Sequence, residues 1–233
     1  MNNEKIAPIL ELIIPCYNEA SGLNGLLEIC TFATQTFPVA FILVNNGSTD
    51  ESEIFFQKID STRIRTLSIK TNLGYGNGVK QGLLIATAPY IGWLHADMQI
   101  NLDGFLHELF KEGFTGDFFY KGKRTGRKFS QLIFTIGMSS VMSFMFHKPL
   151  NDINGQPTIF SSSLLQRLEF APDDFTFDLF VYLVAKKNGY KIRRIPVAMQ
   201  ERKHGQSSWN TGICSALKLS RKMFSSARKI KSN

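Results

Sequence analysis

The chain has little cysteine: Cys16, Cys30 and Cys214 are widely spaced and form no C-x-x-C pair. That argues against a disulfide framework and a cysteine metal site, and makes a reducing compartment the expected setting. Long apolar runs are also scarce. Phe129–Phe146 carries no charge, but Gln131, Thr135, Gly137 and four serines dilute it. About 20 mostly apolar residues are needed to cross a bilayer, so a buried or interfacial helix is expected there. Residues 1–8 have no apolar core that could act as a signal peptide, and export is not expected. A phosphate-cradling P-loop is missing. Gly74-Tyr75-Gly76-Asn77-Gly78-Val79 lacks the third glycine of G-x-G-x-x-G and follows the third expected strand rather than the first, which argues against a nucleotide-dependent dehydrogenase.

Charge is uneven. The formal net charge is +8, yet from Gln200 onward eight basic residues face the single acid Glu201, so that tail carries +7 and the first 199 residues are nearly neutral. A polyanion track along the whole body is thereby disfavoured, and a local patch is expected. Within the tail, Ala216, Leu219, Met223, Ala227 and Ile230 recur at helical spacing with the lysines and arginines mostly elsewhere. This predicts a basic amphipathic helix over 211–233 that meets an anionic membrane surface. A non-catalytic nucleic-acid- or membrane-binding module is the alternative reading. Aromatic-and-basic alternation is absent from the neutral body, so no nucleic-acid partner is expected.

What is present is an α/β pattern. Apolar runs at 10–15, 39–44, 65–69 and 90–94 alternate with helical periodicity at 21–37, 49–59, 76–86 and 102–110, which implies a parallel sheet. The continuous run Phe41-Ile42-Leu43-Val44 suits a strand covered on both faces. After Gly113 the expected order is a strand at 117–121, the long apolar helix, a turn-rich loop at 151–157, helices near 162–168 and 178–187, and a strand at 191–197. The simplest division is one domain over 1–210, with a nucleotide-binding half at about 1–100 and an acceptor half at about 101–210, followed by the terminal helix.

In open parallel sheets, ligands gather beyond the carboxyl ends of the strands. Pro15-Cys16-Tyr17-Asn18-Glu19 follows the first strand, Asn45-Asn46-Gly47-Ser48-Thr49-Asp50 the second and His95-Ala96-Asp97-Met98-Gln99 the fourth. Each has a structural reading: Ser48 to Glu51 makes a capping box, and Asn46-Gly47 an ordinary tight turn. His95, Asp97 and Gln99 alternate, so in an extended segment all three point to one face. Imidazole, carboxylate and amide oxygen together make a seat for a divalent cation bridging two phosphates.

The order P-x-Y-N-E, N-N-G-S-T-D, N-x-G-x-G at 72–76 and a D-x-D-like segment with a following Gln resembles family 2 glycosyltransferases of the GT-A fold. It is most similar to the branch containing dolichyl-phosphate mannose synthase and bacterial polyprenyl-phosphate glycosyltransferases, over about 10–208. The resemblance implies a Rossmann-like, mostly parallel sheet flanked by helices. It also implies a metal-dependent, inverting transfer from a nucleoside-diphosphate sugar, UDP- before GDP-, to a polyprenyl phosphate or a cell-surface glycan intermediate. A hydroxyl acceptor is the alternative. Pro15, Tyr17, Glu19, Asn72, Gly74 and Ala96 would line the nucleotide-sugar pocket, and Asn45 and Asn46 would read the base. Asp97 and Gln99 would hold Mn²⁺ or Mg²⁺, with His95 in place of the usual first aspartate. Arg124, Arg127, Arg202 and Ser207 would hold phosphate or acceptor. Asp97, Asp152, Arg124 and Arg202 would carry catalysis, with Asp178 as a second acidic candidate beside the acceptor. Such an enzyme is expected in the cytoplasm, peripheral at the inner face of a membrane. Because His95 is a softer ligand than aspartate, Mn²⁺ is expected to outperform Mg²⁺; equal activity with both at low concentration would count against this.

Overall fold

Alternation within the first two strands sorts their side chains onto two cores. In β1 (Leu10–Cys16), Leu10, Leu12 and Ile14 face a cluster shared with α1 (Leu23–Thr36) and α4 (Leu102–Glu112). Ile13 faces the opposite cluster, with α3 (Tyr75–Leu84) and α6 (Phe177–Lys187). In β2 (Val39–Asn46), Phe41 and Leu43 join the first core, and Ile42 and Val44 the second. Both strands are therefore covered on both faces, as an unbroken apolar run requires. These positions belong to a computed structural model that describes residues 7–126 and 129–200.

The sheet has seven strands in the order β3 (Ile64–Ile69), β2, β1, β4 (Tyr90–Trp93), β6 (Thr158–Ser161), β5 (Phe118–Thr125), β7 (Lys191–Ala198). β1 to β4 are mutually parallel, β6 runs antiparallel to both its neighbours, and β5 and β7 are parallel. This is the mostly parallel α/β arrangement expected. Two details differ from expectation. β6 was not anticipated, because four residues after a turn-rich loop are too few to display a period. The segment expected as a helix near 162–168 is a 3-10 turn, Ser162–Arg167. The remaining helices are α2 (Ser52–Gln57) and α5 (Phe129–Phe146), and no helix among the described residues is long and apolar enough to cross a membrane. The predicted terminal helix, Arg127, Arg202 and Ser207 lie outside the described residues.

The chain order creates an opening. β2 and β3 build outward on one side of β1, whereas β4 returns to its other side, so a crevice forms where the two directions part. β1 pairs with β4 only as far as Ile13 with Trp93, and Pro15 lies beyond that last pair. Because β6 is antiparallel, its beginning reaches this edge, and the 151–157 loop arrives beside the end of β5.

Two local features secure this frame. Glu11 is buried within the otherwise apolar β1, and its carboxylate takes Arg65 at 2.6 Å and the backbone N–H groups of Thr87 at 2.5 Å and Ala88 at 2.8 Å. A buried charge needs such compensation. The second feature is glycine-limited. A Cβ on Gly76 would come within 2.4 Å of Pro172 O, and one on Gly74, where φ is +126°, within 2.4 Å of Asp173 O. Nearly two turns further on, the Cβ at Gly82 would meet Ile13 at 2.5 Å. The N-x-G-x-G spacing thus lets α3 lie against the 171–174 segment and the sheet. Gly76→Ala is expected to lower stability by about 1–3 kcal/mol through overpacking, read as a lower denaturant midpoint with unchanged slope; an unmoved midpoint would refute the packing role.

Candidate functional site

The loops after β1 and β2 are stitched together. Asn18, with φ +55°, donates its N–H to the Ser48 hydroxyl at 3.0 Å and accepts from Thr49 N at 2.8 Å through its side chain. Glu19 N donates to Ser52 Oγ at 3.2 Å and Ala20 N to Asp50 at 3.1 Å. The capping box expected at 48–51 is replaced by Asp50, which accepts from Ser52 N at 3.0 Å while Glu51 makes no cap bond. Burial opposes ionisation of Asp50, but these hydrogen bonds outweigh it and hold its carboxyl below the usual range.

Asn45 and Asn46 are both buried. Asn45 donates to Glu53 at 2.5 Å and accepts from Ser48 N at 3.1 Å, and Asn46 donates to Gly74 O at 3.0 Å. Hydrogen bonds from Ser68 and Asn45 hold the Glu53 carboxyl low. Asn72 accepts from Gly74 N at 2.8 Å, and its own backbone N lies where a Cβ on Gly47 would stand, 2.4 Å away. Tyr17 stays 47% exposed.

After β4 the chain does not continue as an extended segment, as the alternation of 95, 97 and 99 presumed. Ala96 and Asp97 form a turn and Met98 takes a left-handed backbone, φ +53°. The turn nonetheless brings His95, Asp97 and Gln99 onto one cleft, together with Arg124, Asn154 and Gln156. Asp97 accepts from Gln99 N at 3.3 Å, and the His95 ring lies 5.3 Å from that of Tyr75. Arg124 holds Asp152 with both ends of its fork, Nε to Oδ2 at 3.1 Å and Nη2 to Oδ1. Asp152 has φ +39°, and Arg194 braces its loop by donating to the carbonyl of Asn151 and, at 3.4 Å, to that of Asp152.

The cleft thus collects His95, Asp97, Gln99 and Arg124, and reaches Asp152 through Arg124. Pro15, Tyr17, Glu19, Asn45, Asn46, Asn72 and Gly74 lie on the adjoining ends of β1, β2 and β3 and are not among its walls. No group of three His, Cys, Asp or Glu side chains is preassembled among the described residues. A cation bound here would therefore take one imidazole, one carboxylate and an amide oxygen, and leave further positions to ligand oxygens. That donor set fits a diphosphate-bridging metal.

The model of glycosyl transferase family 2 matches residues 11–152. The chain belongs to glycosyl transferase family 2. Poly-β-1,6-N-acetyl-D-glucosamine synthase of Staphylococcus aureus is 24% identical over 205 residues, 82% of this chain and 48% of that protein. Dolichyl-phosphate β-glucosyltransferase of Dictyostelium discoideum is 30% identical over 99 residues, 38% of this chain and 30% of that protein. The chain spans about half the length, or less, of these curated relatives. Glucosyl-3-phosphoglycerate synthase of Mycobacterium tuberculosis, solved in complex with Mn²⁺, UDP and phosphoglyceric acid, superposes with a TM-score of 0.72 at 15% identity, covering 97% of this chain and 79% of that one. At that identity the likeness shows the fold, GT-A.

Trp93, Tyr75 and Lys121 of this family 2 chain escaped the sequence reading because their partners are remote in sequence, and the second acidic candidate, Asp178, sits among them. Asp178 is buried; Trp93 Nε1 donates to it at 3.1 Å. Tyr75 accepts from Gln156 Nε2 at 2.6 Å. Burial, and then the neighbouring Asp178 carboxylate, push the Tyr75 phenol well above its usual pKa. Lys121 is wholly buried, donates to Thr158 Oγ1 at 3.0 Å and lies over the Phe119 and Tyr182 rings. Only its place three residues before Arg124 could have flagged it.

Burial pulls the Lys121 ammonium down to about 7. In the unfolded chain it keeps its proton to about 10.4, so between these values the unfolded state binds more protons and stability rises with pH. Below that window the buried charge carries its full desolvation cost. Lys121→Met, which has no such charge, is expected to gain most over the wild type at pH 6 and to lose that advantage towards pH 10. Chemical denaturation across that range checks this, and a pH-independent difference would refute it.

Proposed function

We propose that this chain transfers a sugar from a nucleoside-diphosphate sugar, UDP- before GDP-, to an acceptor that is a polyprenyl phosphate or a cell-surface glycan intermediate. The observation that carries the reading is the convergence of His95, Asp97, Gln99 and Arg124 on one cleft at the carboxyl edge of a GT-A sheet, in a family 2 chain. The presence of Mn²⁺ and UDP in the complex of the similarly folded synthase supports it.

In this reading the adjoining ends of β1, β2 and β3, with Pro15, Tyr17, Glu19, Asn45, Asn46 and Asn72, receive the nucleoside. His95, Asp97 and Gln99 hold a divalent cation, Mn²⁺ or Mg²⁺, which when bound neutralises charge on the leaving diphosphate. Arg124 adds a guanidinium fork suited to phosphate. A phosphate that takes that fork releases the Asp152 carboxylate, which then faces the acceptor side of the cleft. A lipid phosphate has a second pKa of about 6 and needs little help from a base, whereas a hydroxyl acceptor would use Asp152. Asp178 lies too deep for that task. Arg127, Arg202 and Ser207 are proposed to add phosphate contacts.

The setting proposed is the cytoplasmic face of a membrane, held peripherally. Ile133, Ile136, Val141 and Phe144 recur at helical spacing along α5 and are exposed, and the basic 211–233 segment supplies attraction to anionic lipid.

A thermal-shift screen of UDP-, GDP- and CDP-sugars with Mn²⁺ tests the reading. A true donor at a hundred times its Kd should add about 2.7 kcal/mol of stability, and Asp97→Asn should erase both that shift and transfer. Absence of any shift, or undiminished transfer by the variant, would sink it.

A further inference from the structure

Two amide oxygens in the cleft are buried without a hydrogen-bond partner among the described residues: Asn154 Oδ1 and Gln156 Oε1. Gln156 is only 4% exposed, so its free oxygen is not a solvated surface group. Most buried acceptors are satisfied, and leaving one bare costs about 1–3 kcal/mol. Two such atoms in one cleft are a ligand-shaped deficit.

The orientation of Gln156 follows from its neighbours. Asp178 can only accept, and Trp93 already donates to it at 3.1 Å. The adjacent Tyr75 hydroxyl, kept protonated by burial, faces that carboxylate, whose Oδ2 has no donor among the described residues. The Tyr75 oxygen must then accept, and the donor it meets at 2.6 Å is Gln156 Nε2. The amide nitrogen is thereby committed to Tyr75, and the oxygen is left for the cleft.

We propose that Asn154 and Gln156 form a hydroxyl-reading pair that selects the transferred sugar, with Tyr75 as the positioning residue that sets which end of Gln156 faces it; this rests on the sugar-transfer reading above. A neutral amide oxygen needs only a hydroxyl proton, which every sugar offers in a fixed pattern. A second cation would gain little from neutral oxygens beside the Arg124 guanidinium. A site built on such acceptors discriminates strongly against a ligand lacking the matching donor, because the buried oxygen is then left bare.

The experiment uses the full chain with Mn²⁺. Titration calorimetry compares the tightest of UDP-glucose, UDP-N-acetylglucosamine and GDP-mannose with its bare nucleoside diphosphate and with its monodeoxyfluoro analogues, which cannot donate. In the wild type at least one analogue should bind about fivefold more weakly than the parent, the worth of one hydrogen bond. That penalty should vanish in Gln156→Leu and shrink in Tyr75→Phe, while the bare nucleotide binds all three proteins equally. Melting temperatures of both variants verify folding, and two independent substitutions guard against the loss of one. A penalty of equal size in wild type and variants overturns the pair while leaving the nucleotide site standing. Weakened Mn²⁺ binding in Gln156→Leu, with an unchanged analogue pattern, would make the amides cation ligands and also overturn it. If the wild type binds no nucleotide at all, the sugar-transfer reading falls with it.

Discussion

A carboxylate sunk beneath the rim of a sheet has to be compensated from several directions at once, and Asp178 places that demand on this fold. Its side chain, 1% exposed, takes a hydrogen bond from Trp93 on β4 and lies against Tyr75 at the start of α3. Each of these elements also supports a wall of the cleft. Shifting one of them would leave a buried charge uncompensated, which costs far more than a lost apolar contact. The walls of the site are therefore fixed in relative position by electrostatics as much as by packing.

The cleft above this layer draws from both directions of the chain. Parallel strands deliver their ends to the carboxyl edge, whereas the antiparallel β6 delivers its beginning. That reversal places Asn154 and Gln156 in one cleft with His95 and Asp97, residues more than 50 positions away in sequence. Within it, Arg124 and Asp152 neutralise each other, so the cleft presents balanced charge rather than a bare positive field.

Much of the frame was legible in the sequence, because buried parallel strands and amphipathic helices imprint their periods on long segments. β1, β2 and α4 were read closely for that reason, and the polar clusters after β1, β2 and β4 do gather at one edge of the sheet. β6 was missed because its period never completes, and the extended geometry assumed for 95–99 gave way to a turn at Ala96 and Asp97 that no alternation reveals. Lys121, Tyr75, Trp93 and Asp178 were illegible as a group for a different reason. Their meaning lies in contacts between distant segments, and a single sequence states residues, not neighbours.

The glycines at 74, 76 and 82 admit no side chain, because backbone carbonyls and the Ile13 side chain occupy the space a Cβ would need. That requirement comes from architecture and would persist in a descendant that had lost its chemistry. A pattern such as N-x-G-x-G at 72–76 therefore records ancestry, and an inactive paralogue should carry it intact. To sort working members of such a lineage from retired ones, the segment from His95 to Gln99 and the 152–156 loop are the places to look.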